Sequence, residues 1–117
     1  MLDRQRLASF IGQDRAFEKQ YLALLLDTVV ACIASLDQPK VDIYSALHAS
    51  KAGISVAANA ELMNSLQLAC DLTMHGSQAP ISGEISAQTS AALVQLRLQL
   101  LVFRSEIEKI LASETAP

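Results

Sequence analysis

The sequence predicts an all-α chain: an antiparallel up-and-down four-helix bundle with a short additional N-terminal helix. Three observations lead there. Hydrophobic residues make up 51% of the chain and are mostly Leu, Ala, Ile and Val without a single Trp, a set that suits helices better than a sheet. Only four Gly and three Pro interrupt it, which leaves few turns. Apolar residues recur at steps of three and four over long stretches. A length of 117 residues suits one domain with one core, spanning 1–117.

The first helix is expected over 3–11. Asp3 is placed to cap it, Leu2 and Leu7 to staple its entry, and Gly12 to end it. A long second helix follows over about 14–37, with an apolar stripe of Phe17, Tyr21, Leu24, Leu25, Thr28, Cys32 and Leu36. "DQPK" breaks it, because Pro39 cannot continue a helix interior. The third helix is expected over about 40–57. The fourth covers about 59–75, with Asn59 as its cap and Gly76 as its stop. "GSQAPISG" reads as a loop. The fifth helix, about 83–112, lines Ile85, Ala92, Leu96, Leu100, Phe103, Ile107 and Leu111 along one face.

The net charge of −3 gives no basic footprint for nucleic acid. Two Cys and two His at unrelated spacings do not make a metal set. Cys32 and Cys70 fall in apolar helical patterns and read as buried free thiols, which points to the cytoplasm. "MLDRQRLASF" carries charges where a secretory leader needs an apolar run. "YLALLLDTVVACIASL" contains Asp27 and is shorter than the roughly 20 apolar residues of a membrane span, so it reads as a buried helix. A monomer is expected, with an exposed apolar patch on the second helix as the feature that would instead drive dimerisation.

The third helix carries the most informative residues. Ile43, Leu47, Ser50, Ile54 and Ala57 fall within an arc of roughly 80° at about 100° per residue, and this arc should face the core. His48 is turned roughly 140° from the middle of that arc, which puts it at the surface. Lys51 lies one turn on, with Ser55 and Tyr44 nearby. The neighbours are small: Ala46, Ala49, Ala52, Gly53, Ala57 and Ala58. An imidazole is a good nucleophile near neutral pH, and a phosphoryl group on the ring would sit beside the Lys51 ammonium. A lone histidine on a helix surface is more often a plain solvated residue.

"LHASKAGISVAANAELMNSLQLAC" resembles the histidine-containing phosphotransfer (HPt) domain family, whose helix reads approximately H-x-L-K-G followed by small residues and a Leu-rich helix. "LDRQRLASFIGQDRAFEKQYLALLLDTV" is similar to that family's opening, a short helix and then a long apolar one. The resemblance implies that His48 is the phosphoryl acceptor and that Lys51 neutralises the phosphoryl group. Leu62 matches the apolar position opening the next helix, and Ser55 is a possible accessory group. It further implies a phosphocarrier without independent kinase activity or a cofactor of its own. Mg²⁺ is expected on the partner, a receiver domain of a response regulator or hybrid histidine kinase. Ser50 stands where the family usually has Leu, Ala52 where it has Gly, and Ala58 where a second Gly is common; these departures bear on partner range. The alternative is a non-phosphorylated helical module that binds and regulates a receiver or kinase. His75 reads as a cation at a helix C-terminus. Glu61 and Asp71 read as solvated.

Overall fold

A computed structural model describes residues 1–38, 42–77 and 87–115, with side chains described through Met74 in the second of these stretches and through Ser113 in the third. Five helices account for nearly all of them: α1 (Arg4–Ile11), α2 (Arg15–Leu36), α3 (Ile43–Ser55), α4 (Ala60–Ser77) and α5 (Ala87–Thr115). Among the described residues the only strand-like pairing is an isolated bridge between Leu2 and Ala58.

Side chains set the helix starts. Asp3 accepts from the Arg6 amide, Asp14 from those of Ala16 and Phe17, Asp42 from that of Ser45, and Asn59 from that of Leu62. Each satisfies a donor that the first turn cannot pair internally. Gly12 closes α1 at φ 79°, a left-handed conformation that an L side chain resists. The third helix begins at its Asp42 cap rather than at 40; Pro39, Lys40 and Val41 lie outside the described residues. The fourth runs through Gly76 to Ser77 and does not stop at that glycine. The rest of "GSQAPISG" and Ile85 lie outside the described residues.

The helices pack pairwise in a cycle: α2 lies on α3 and α5, and α4 lies on the same two, while α1 rests on α2. The core at the centre contains Leu22, Leu25, Val29, Leu47, Ile54, Leu62, Leu66, Leu96, Leu100, Phe103 and Ile107. Leu7 joins it from α1, and Leu2 packs against it. On α3, Leu47, Ser50 and Ile54 are buried and Ile43 is half-buried, the arc that the spacing predicts; the helix ends at Ser55 rather than 57, and Ala57, also buried, lies in the turn beyond it. On α5, Leu96, Leu100, Phe103 and Ile107 are fully buried, again as the spacing predicts.

The expected α2 stripe needs correction. Phe17 and Leu24 are 48% and 67% exposed, whereas Leu22, Val29 and Ile33 take core positions beside Leu25 and Cys32. The helix is apolar on nearly every side, so periodicity alone does not choose its buried face. As a 22-residue helix, α2 is also long and apolar enough to cross a membrane, the one such helix among the described residues. Its core residues Leu22, Leu25, Val29, Cys32 and Ile33, packed against α1, α3 and α5, are also compatible with the core helix of a globule. A second exposed apolar stripe lies on α5, at Val94, Leu98 and Val102.

Candidate functional site

The sequence brings His48 to the surface through its phase on α3. Leu47 and Ser50 turn inward, which points His48 and Ala49 outward. Its imidazole does not stand alone. Tyr44, one turn earlier, stacks on it with ring centroids 5.7 Å apart and planes inclined by 21°. The separation falls within the range of offset aromatic pairs. Tyr44 itself is half-buried and packs against the core. Asp42 fixes the start of this turn. Its carboxylate accepts from the Ser45 amide at 3.2 Å and from the Ser45 hydroxyl at 2.8 Å, and these bonds hold its pKa below the usual carboxylate range.

Lys51 is half-buried, and its ammonium donates to Gln67 Oε1 on α4. The amide of Gln67 in turn donates to Asp71 Oδ1 at 2.9 Å. A polar chain therefore runs from Lys51 through Gln67 to Asp71 and crosses from α3 to α4. Asp71 is exposed, as read from the sequence, but it orients the amide that holds the lysine. Gln67 has no counterpart in the sequence reading. Its i,i+4 spacing to Asp71 was the available signal. Its partnership with Lys51 depends on how two helices are set against each other, which no local pattern encodes.

Ser55 lies seven residues beyond His48, about two turns or roughly 10 Å along the axis. Its hydroxyl donates to the Ala52 carbonyl at 2.8 Å. Its own carbonyl accepts from Arg6 Nε at 2.6 Å, so it belongs to the end of α3 more than to the surroundings of the imidazole. The side chain of His75 lies outside the described residues. Glu61 is exposed.

Beneath the surface, the Ser50 hydroxyl donates back to the Ala46 carbonyl at 2.9 Å. A hydroxyl on the core edge is thus satisfied locally. Cys32 and Cys70 are both buried and free. Burial pushes both thiols up; the Ser50 hydroxyl opposes this at Cys32, and the Lys51 charge opposes it at Cys70. Ala52 is exposed beside the imidazole face, and Ala58 is buried where Leu2 bridges to it. Among the described residues no cluster of His, Cys, Asp and Glu is suited to hold a metal ion.

Chemically, the surface offers an accessible imidazole on an aromatic platform, an ammonium one turn away, and alanines where bulkier residues would block approach. Comparison with protein-family models, with curated proteins and with solved structures gives no match.

Proposed function

We propose that this chain is a histidine phosphotransfer protein of the HPt type, carrying a phosphoryl group between receiver-domain aspartates on His48. The carrying observation is the exposed imidazole of His48, with Lys51 one turn on along α3 and the exposed Ala49 and Ala52 next to it. In this reading the four long helices form an antiparallel up-and-down bundle with α1 at one end. Tyr21 in the first half of α2 reaches Gly53 near the end of α3, while only six residues join the end of α2 to the start of α3, which supports opposite directions for the two helices.

A ring nitrogen of His48 attacks the phosphorus of a receiver aspartyl phosphate. The N–P bond forms as the P–O bond to the carboxyl group breaks, and the electron pair leaves on the aspartate carboxylate. The other ring nitrogen keeps its proton until solvent takes it. The reverse sequence delivers the phosphoryl group to a second receiver. Lys51 leaves the neutral oxygen of Gln67 for a phosphoryl oxygen once that charge arrives, because a charged acceptor makes the stronger hydrogen bond. The receiver contributes the aspartate and Mg²⁺; this chain contributes the nucleophile and the counter-charge. Docking uses the face around His48, with apolar contacts surrounding a polar centre. The setting is cytoplasmic and the carrier acts as a monomer.

The test is incubation of the wild-type chain with a panel of purified receivers charged with acetyl phosphate. The expected product is acid-labile, base-stable phosphate on His48. His48→Gln should lose all labelling and change stability by no more than about 0.5 kcal/mol, as exposed positions do. Undiminished labelling of the variant would move the site elsewhere, and labelling of neither protein would overturn the proposal.

A further inference from the structure

Tyr44 is the aromatic residue in direct contact with the imidazole, and phosphoryl chemistry at His48 does not itself require it. It sits in the first turn of α3, behind the Asp42 cap, with its ring seated against the core. A helical side chain leans back toward the N-terminus, over the residue four positions earlier. The His48 ring therefore comes down on Tyr44, and the near-parallel planes record that contact. An exposed histidine would otherwise sample several rotamers, with a broad second torsion. An anchored partner beneath the ring removes that freedom.

The manner of contact suits the chemistry. The nucleophilic lone pair of an imidazole lies in the plane of the ring, and a stacked neighbour occupies only a face. Tyr44 can hold the ring without covering the electrons that attack phosphorus. The exposed Ala49 and Ala52 leave the outer edge open to an approaching domain.

We infer that Tyr44 is a positioning residue for phosphoryl transfer at His48: a core-anchored ring that fixes the imidazole in one orientation before a receiver docks. This rests on the phosphotransfer reading above. Fixing the ring beforehand lowers the ordering cost of the transfer step. The effect belongs to a macromolecular donor, whose phosphoryl group arrives at one place and angle. A small donor reaches the ring in any rotamer.

The experiment compares wild type with Tyr44→Phe, Tyr44→Leu and Tyr44→Met. Melting curves accompany all four, and Met provides a second non-aromatic variant should Leu fail to fold. The first readout is the proton shifts of the His48 ring, which an adjacent aromatic face displaces; the displacement should persist in Phe and vanish in Leu and Met. The second is transfer from a charged receiver that labels the wild type, resolved into a first-order step and an apparent KM. Phe should stay within about twofold of wild type, while Leu and Met should slow the first-order step several-fold with KM little changed. The third is labelling by phosphoramidate, which should be the same in all folded variants. Wild-type labelling with unaltered receiver transfer in Leu and Met would overturn this inference alone. Absence of wild-type labelling by either donor would overturn the phosphotransfer reading and this inference with it.

Discussion

Replacement of Lys51 by Ala isolates the electrostatic part of the site. In the free protein the ammonium donates to the neutral oxygen of Gln67, an exposed contact whose loss is worth about 1 kcal/mol at most. In the proposed phosphotransfer reading, a phosphoryl group on His48 would change its surroundings. Side chains three apart on a helix are separated by about 5–6 Å at Cβ, and two unit charges at about 5 Å interact by about 0.8 kcal/mol in water and about 3 kcal/mol at an effective dielectric of 20. His48 is exposed and Lys51 half-buried, so the value lies near the water limit. A phosphoryl charge approaching two raises it to about 1.5 kcal/mol, and surrender of the Gln67 bond returns part of this. The net is about 1 kcal/mol, roughly a five-fold effect on phosphohistidine lifetime or transfer rate. The assay charges both proteins with phosphoramidate and follows loss of label in water, then transfer to a receiver, at about 0.05 M and about 1 M salt. The Debye length falls to about 3 Å at 1 M, so the gap between the proteins should shrink there to under about twofold. Melting temperatures should nearly coincide. Equal lifetimes and rates at low salt would remove Lys51 from the site, and a gap untouched by salt would show that its stem, not its charge, is at work.

Two predictions concern the scaffold. Phe103 is fully buried among α5 core residues, so Phe103→Ala should cost about 3–5 kcal/mol and lower the melting temperature by roughly 10–20 °C; calorimetry checks this, and a loss under about 1 kcal/mol would contradict the core assignment. Cys32 and Cys70 have thiol pKa values raised by burial, so their contribution is full below the unfolded thiol value of about 8.5 and disappears as pH rises through the higher folded values. Urea midpoints should therefore fall between pH 8 and 10 in wild type and fall less in the Cys32→Val, Cys70→Ala double variant; parallel curves would refute the assignment.

The parts of this fold legible in the sequence are those where one physical signal dominates. Asp3, Gly12 and Asn59 were readable because capping chemistry is local. The phase of α3 was readable because its apolar residues keep to one arc while polar and small residues fill the rest. The phase of α2 was not. With Phe17, Leu22, Leu24, Leu25 and Val29 all apolar, its neighbours decide which are buried. The site divides along the same line. His48 and its exposure come from α3 alone, and Tyr44 is one turn away on the same helix. Gln67 comes from another helix, and the sequence holds no local record of it.

Gly53 lies two residues beyond Lys51, inside α3. A methyl group there would meet only Thr28 Cγ2 at 3.9 Å, an ordinary contact, so space does not demand glycine. A glycine in a helix interior nonetheless weakens it by about 0.5–1 kcal/mol relative to alanine. The end of α3 is held mostly from outside: Tyr21 Oη donates to the Gly53 carbonyl at 3.2 Å, Arg6 Nε to the Ser55 carbonyl, and the Asp3 amide to the Ala57 carbonyl at 2.7 Å. Two of those three donors lie at the start of the chain, in or beside α1. Opening of the N-terminal segment should therefore free the carbonyls of Ser55 and Ala57 together, while Ile54 keeps this turn seated in the core. The lysine thus stands two residues before the stretch of α3 whose carbonyls are tied to α2 and to the N-terminal segment.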